Sequence, residues 1–142
     1  MKNSEHICQV FAMSYLKKLQ HAGYDFMMWS TPNGGGRSKA EAGRLKLEGV
    51  LSGVPDISIM AKGIMVFVEF KMNKGILSPN QKDFIAKAKT YGFESFIVYG
   101  DTPTEVLPQI AKIMEDVFSV QKGISNCSIS SVLGNTLLAV KS

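Results

Sequence analysis

Two apolar, strand-like runs meet at a two-residue turn in the middle of the chain, and this feature constrains the fold most. Residues 56–61 and 64–71 are rich in Ile, Val, Met and Phe and flank Lys62-Gly63, a pattern typical of a β-hairpin. A two-residue turn also fixes the register of the two strands. The sequence therefore predicts an antiparallel hairpin in which Asp56 lies directly opposite Glu69.

Two carboxylates in facing positions repel each other, because their Cβ atoms lie about 5 Å apart. Alternation along the second strand puts Glu69 and Lys71 on the same face, so an ammonium group stands beside the carboxylates. A hard cation relieves the repulsion, since Mg²⁺ is held by a few carboxylates together with waters and phosphate oxygens. The alternative is a plain Glu69–Lys71 ion pair on an edge strand, and the spacing alone leaves both interpretations open.

Further patterns along the chain predict the elements around the hairpin. Helices are expected over about 4–21, 39–48, 78–91 and 104–118, and strands over 25–30 and 94–99. Glu5 falls within the apolar stripe of the first helix and is a candidate third carboxylate. Ser78 and Gln81 form a capping box at the start of the third helix, whose apolar face is expected to include Tyr91. This order is typical of an α/β fold with a mixed β-sheet flanked by helices.

Composition bounds the class of protein. The 142 residues are 45% hydrophobic, which predicts one ordinary globular domain. Two cysteines, no apolar run long enough for a membrane span and no secretory signal predict a reduced, soluble, intracellular protein. The stretch from Arg37 to Lys89 holds ten basic and five acidic residues, which favours a polyanionic partner such as nucleic acid.

A family resemblance joins these pieces. Pro55-Asp56 followed by Glu69-Phe70-Lys71 resembles the signature of the PD-(D/E)xK nucleases. Further segments, in matching order, resemble the VRR-NUC branch of these nucleases (virus-type replication-repair nucleases) in its small stand-alone phage and bacterial form. These segments are residues 5–9, 33–37, 40–50 and 77–81. The resemblance covers roughly residues 4–100 and implies a PD-(D/E)xK restriction-endonuclease-like core. We therefore expect a nuclease domain over 1–118 and a C-terminal extension over 119–142, which packs on the body, pairs with a second subunit or stays loose.

The resemblance implies a role for each matched residue. Asp56 and Glu69 would be metal ligands together with Glu5 and the backbone carbonyl of Phe70, and Lys71 would be the catalytic lysine. Gln81 matches a glutamine that follows the hairpin in the family and would be a further catalytic residue. The implied reaction is Mg²⁺- or Mn²⁺-dependent hydrolysis of phosphodiester bonds. Residues expected to contact DNA are Asn33, Gly35, Arg37, Lys39, Arg44, Lys46 and Lys74.

The resemblance also implies an assembly and a substrate. Stand-alone members are expected to act as homodimers on branched DNA, such as four-way (Holliday) junctions, in the cytoplasm of a bacterial or phage-infected cell. Two alternatives remain from the sequence. One is a non-catalytic nucleic-acid-binding or assembly module that retains the nuclease fold, and the other is a sequence-specific restriction-type nuclease.

Overall fold

The computed structural model describes residues 3–32, 37–119 and 129–141. Its helices are α1 (Asn3–His21), α2 (Lys39–Leu47), α3 (Pro79–Thr90), α4 (Pro103–Ser119) and α5 (Ile129–Lys141), and its strands are β1 (Phe26–Ser30), β2 (Ile57–Ala61), β3 (Ile64–Lys71) and β4 (Glu94–Tyr99). The strands form one sheet in the order β1-β2-β3-β4. The α/β class with a mixed sheet flanked by helices is confirmed.

The hairpin of β2 and β3 has the predicted register. Ala61 pairs with Ile64 and Ile57 pairs with Val68, as a two-residue turn requires. Gly63 closes this turn with a φ of 73°, a conformation that glycine adopts at little cost. On the other side of β3, β4 runs parallel to it, because the chain crosses over through α3.

The main core lies on one face of the sheet. Buried side chains from β2, β3 and β4 contribute to it, and the amphipathic α1 and α4 pack over them. The predicted inward face of α4 is confirmed, since all six of its residues are buried: Val106, Leu107, Ile110, Ile113, Met114 and Val117. The α5 helix packs against α1 and α4, and its Ile129 carbonyl accepts a hydrogen bond from the Tyr15 hydroxyl at 3.4 Å.

The opposite face of the sheet is covered more sparsely. Phe84 of α3 packs edge-on against Phe67 of β3, with ring centroids 5.1 Å apart. The α2 helix has no buried residue; its N-cap Ser38 and good helix formers account for its formation. No helix in the described ranges is both long and apolar enough to cross a membrane.

One predicted core residue was misplaced. Tyr91 was expected on the apolar face of α3, but the helix ends at Thr90 and Tyr91 is its C-cap. Tyr91 keeps a helical backbone conformation (φ −89°, ψ 0°), but the side chain lines an open groove beside α2 instead of a packed core. Its side chain is 66% exposed.

Candidate active site

The end of the hairpin brings Asp56 and Glu69 together. The Asp56 N–H donates to Glu69 Oε2 at 3.2 Å, and the Phe70 N–H donates to Asp56 Oδ2 at 2.8 Å. Each carboxylate is thus held by a backbone N–H from the opposite side of the hairpin. The sequence prediction that these two side chains are neighbours agrees with these contacts.

Glu69 lies at the centre of the site. Its residue is only 3% exposed, and Oε1 accepts a hydrogen bond from Gln81 Nε2 at 2.5 Å. Lys71 Nζ lies 3.5 Å from the same oxygen. With the Asp56 N–H on Oε2, both carboxylate oxygens of Glu69 have partners, which fixes the orientation of the group.

Gln81 has a structural role and a site role at once. Its Oε1 accepts the Ser78 N–H at 2.9 Å, and its own N–H donates to Ser78 Oγ at 3.2 Å. This is the predicted capping box. Since the amide oxygen is occupied by the cap, the amide nitrogen faces Glu69. The first turn of α3 therefore positions a hydrogen-bond donor on the buried carboxylate.

Glu5 meets the site from the other side. Its Oε1 accepts the Met72 N–H at 3.2 Å, which ties the first turn of α1 to the chain just after Lys71. Its charge raises the pKa of Asp56. Across the described ranges, however, no three His, Cys, Asp or Glu side chains converge as a ready-made metal cluster. Glu5 as a third ligand therefore stays a prediction.

A network of hydrogen bonds just beyond the end of β3 was not predicted from the sequence. The Asn73 N–H donates to Asp101 Oδ1 at 3.0 Å, and Asn73 Nδ2 donates to Glu105 Oε2 at 3.1 Å. The Asp101 N–H donates to the same Glu105 oxygen at 2.7 Å. These bonds join the ends of β3 and β4 to the start of α4. The Thr102-x-x-Glu105 spacing of a capping box was the one signal available for it.

The predicted DNA contacts are spread over several places. Arg37 and Lys46 line a groove between α2 and α3, together with Lys87 of α3. Lys39 and Arg44 are exposed on α2, and Lys74 is exposed beyond β3. Asn33 and Gly35 lie outside the described residues. Lys87 was not among the predicted contacts, because helical spacing alone does not distinguish it from a solvated lysine.

Burial makes the carboxylate pair hard to ionise. Loss of hydration, followed by the charge of Asp56, raises the pKa of Glu69 to about 7, although Lys71 acts in the opposite direction. Loss of hydration also raises the pKa of Asp56, while the Phe70 N–H opposes that shift. Relative to the unfolded chain, the folded protein therefore carries an excess of bound protons on this carboxylate pair, even with Lys71 present.

This excess predicts a pH-dependent stability for the metal-free protein. The pKa of Glu69 is 4.5 when unperturbed and about 7 in the folded chain, so between these values the folded state binds more protons than the unfolded state. The free energy of unfolding should therefore fall as pH rises through this window. Urea titrations at several pH values, in the presence of a chelator, measure it.

Glu69→Gln is the control for this effect, because it keeps the shape of the side chain but does not titrate. We expect its free energy of unfolding to fall less steeply over the same window. Equal slopes for the variant and the wild type would show that Glu69 is not the group responsible.

Comparison with known proteins identifies the family of the chain. The family profile of the VRR-NUC domain matches residues 4–102, and the chain therefore belongs to the VRR-NUC family. Membership of this nuclease family makes the chain a nuclease by class. No curated protein matches the chain.

Two solved structures with TM-scores above 0.5 show the same fold. One, described as a VRR_NUC domain protein, is 21% identical with a TM-score of 0.58, covering 79% of this chain and 88% of that one. Another, described as a VRR_NUC domain, is 20% identical with a TM-score of 0.52, covering 79% and 95%. A Holliday junction resolvase, Hjc from Archaeoglobus fulgidus, is 22% identical with a TM-score of 0.38, covering 65% and 67%.

Proposed function

We propose that the protein is a divalent-metal-dependent DNA endonuclease that cuts branched DNA, four-way junctions in particular, as a homodimer. One observation carries the catalytic part of this proposal. Asp56 and Glu69 are held side by side at the end of a hairpin, with Lys71 Nζ 3.5 Å from Glu69. A buried Glu69 and a half-buried Asp56 with an ammonium group beside them form a set of groups suited to metal-assisted hydrolysis of a phosphodiester.

The groups at this site suit Mg²⁺ or Mn²⁺. Asp56 and Glu69 supply hard oxygen donors, and their pKa values, which burial raises most, mean that a bound cation would stabilise the ionised forms that the metal-free site disfavours. The Phe70 carbonyl is a further candidate. The Lys71 carbonyl accepts the Gly100 N–H on the β4 side, so the adjacent Phe70 carbonyl points towards β2. Continuing the register by two residues places Pro55 opposite it, and proline has no N–H to donate.

A metal ion and the residues around it would have distinct tasks in the proposed reaction. A bound cation would polarise the scissile phosphate and lower the pKa of an attacking water. Lys71 stands where an ammonium group orients that water or stabilises negative charge developing on the phosphate. Gln81 holds Glu69 in position through the 2.5 Å hydrogen bond. Release of the Glu69 proton near pH 7 frees its carboxylate for the cation.

The preference for branched DNA and the dimer are supported by the family resemblance. A single active site cuts one strand, so symmetric cutting of a four-way junction needs two subunits. Arg37 just before α2, Lys46 on α2 and Lys87 on α3 line the groove between these helices and suit contacts with phosphates.

The test is a cleavage assay on labelled duplex, single strand, flap and four-way junction, with Mg²⁺, Mn²⁺ or EDTA. We expect cleavage with either metal and none with EDTA, with the four-way junction cut fastest and nicked symmetrically. Sedimentation in the same buffer should give a dimer.

Other outcomes would contradict separate parts of the proposal. Equal cleavage of all substrates would remove the preference for branched DNA, and activity in EDTA would remove the metal. Binding without cleavage under every metal condition would favour the non-catalytic module.

A further inference from the structure

A groove lies between α2 and α3, which we call the α2–α3 groove. Leu45 and Lys46 of α2 form one wall, Phe84 and Lys87 of α3 form the other, and Phe67 of β3 lines it as well. Its volume is about 960 Å³, which is in the range of sites for small ligands and far below that of a length of duplex DNA.

The groove is lined by residues that adjoin the candidate active site. Phe67 and Glu69 lie on the same face of β3, two residues and so roughly 7 Å apart. Asn80, which also lines the groove, directly precedes Gln81, whose side chain bonds Glu69. A chain segment that occupies the groove would therefore lie roughly 7 Å or more from the carboxylates, about the length of one nucleotide.

Two aromatic rings at the groove remain open to solvent. Tyr91 is 66% exposed and Phe93 is 40% exposed, although both line the groove. The Lys87 ammonium lies 5.5 Å from the centroid of the Tyr91 ring, so a positive charge accompanies an aromatic face. Unpaired bases stack on such rings, while the neighbouring cation contacts their phosphates.

The charges at the groove favour a polyanion. Its charged lining residues are Arg37, Lys46 and Lys87 against Asp83. A second copy of the chain suits it less, because a two-fold interface brings the same surface together on both subunits. Two surfaces that each carry three cations and one carboxylate would then be brought together, which is electrostatically unfavourable.

We propose that the α2–α3 groove binds an unpaired DNA strand next to the active site, with bases stacked on Tyr91 and Phe93 and phosphates held by Arg37, Lys46 and Lys87. This inference rests on the proposed function and adds that an unpaired stretch of the branched DNA, such as a strand opened at the branch point, occupies the groove. Lys87, Tyr91 and Phe93 become binding residues for that strand.

Fluorescence anisotropy with labelled oligothymidine and with a matched blunt duplex, both in EDTA, tests the proposal without any cleavage. Tyr91→Ala should weaken binding of oligothymidine about tenfold, which corresponds to one stacked base, and change duplex binding less than twofold. Tyr91→Phe should bind as the wild type does, because it keeps the ring. Tyr99→Ala is the matched control, since Tyr99 is 38% exposed and does not line the groove.

The phosphate contacts have a test of their own. Lys87→Ala should reduce the slope of log K against log salt concentration for oligothymidine by about 0.7. Lys89→Ala is its control, because Lys89 is an exposed lysine on the same helix outside the lining of the groove. Equal changes in the two variants would overturn the assignment of Lys87.

The failures of the two proposals are distinguishable. If the wild type cuts branched DNA but Tyr91→Ala binds oligothymidine normally, this inference is wrong and the proposed function stands. If the wild type cuts nothing but Tyr91→Ala weakens its binding of oligothymidine, the proposed function is wrong and the assignment of the groove to an unpaired strand stands. Equal losses of duplex and single-strand binding in Tyr91→Ala would also overturn this inference. A change in sedimentation caused by Tyr91→Ala would overturn it as well, and would indicate that the groove is an interface between copies of the chain.

Discussion

Lys71→Ala should lower the rate of DNA cleavage by about 10²- to 10⁴-fold, the range typical of a lost acid, base or charge-stabilising group. The Lys71 ammonium lies 3.5 Å from Glu69 and its side chain is 15% exposed, so solvent does not replace it readily. Its charge also lowers the pKa of both Glu69 and Asp56. The variant should therefore lose the positive charge and also hold the Glu69 proton more tightly.

The fold should survive this substitution. In this variant Glu69 no longer has the Lys71 ammonium beside it and can remain protonated, which avoids an uncompensated buried charge at neutral pH. Circular dichroism and anisotropy with labelled junction DNA should therefore match the wild type, while single-turnover cleavage does not. Lys62→Ala is the matched control, because it removes the same charge from the exposed turn at the other end of the hairpin. Cleavage by Lys71→Ala at the wild-type rate would refute the catalytic assignment.

Local rules account for the part of the site that was predictable from the sequence. The length of the turn at Lys62-Gly63 and the alternation along β3 are sufficient to bring Asp56 next to Glu69, since both rules act over a few residues. The capping box of Ser78 and Gln81 is local in the same way. That Gln81 also bonds Glu69 follows from the crossover after β3, and only the family resemblance indicated it.

Contacts between distant segments were not predictable. Asn73 meets Asp101 across 28 residues, because the parallel pairing of β3 and β4 brings their ends together after a helical crossover. No local pattern encodes that meeting. The position of α5 on α1 and α4 depends in the same way on which apolar faces the rest of the fold leaves uncovered.

The site contains groups that lower the stability of the folded protein. Buried carboxylates with raised pKa values destabilise the metal-free protein above pH 7, and the open rings of Tyr91 and Phe93 leave apolar surface in water. Both features are unfavourable for folding and both occur beside the same groove. Such conflicts between local preference and stability are expected at functional sites.

Gly53→Ala should be the most damaging single-methyl change near the site. Gly53 has a φ of 84°, and a Cβ there would lie 2.8 Å from Gln81 N and closer still to the Asn80 backbone. Backbone atoms cannot rotate away as a side chain can, so the first turn of α3 must shift. Because that turn positions Gln81 on Glu69, we expect cleavage to fall together with stability, by about 2 to 5 kcal/mol in the free energy of unfolding.

Gly49→Ala separates this clash from backbone strain. Gly49 has a similar φ of 93°, but a Cβ there would meet nothing within 4 Å. Its substitution should cost only the strain of a left-handed residue, about 1 to 2 kcal/mol, and leave cleavage by the folded protein unchanged. Urea titration and cleavage assays on both variants give the comparison. Equal losses would mean that contact between the loop at Gly53 and α3 does not hold Gln81 in place, and the site would then depend on the hairpin alone.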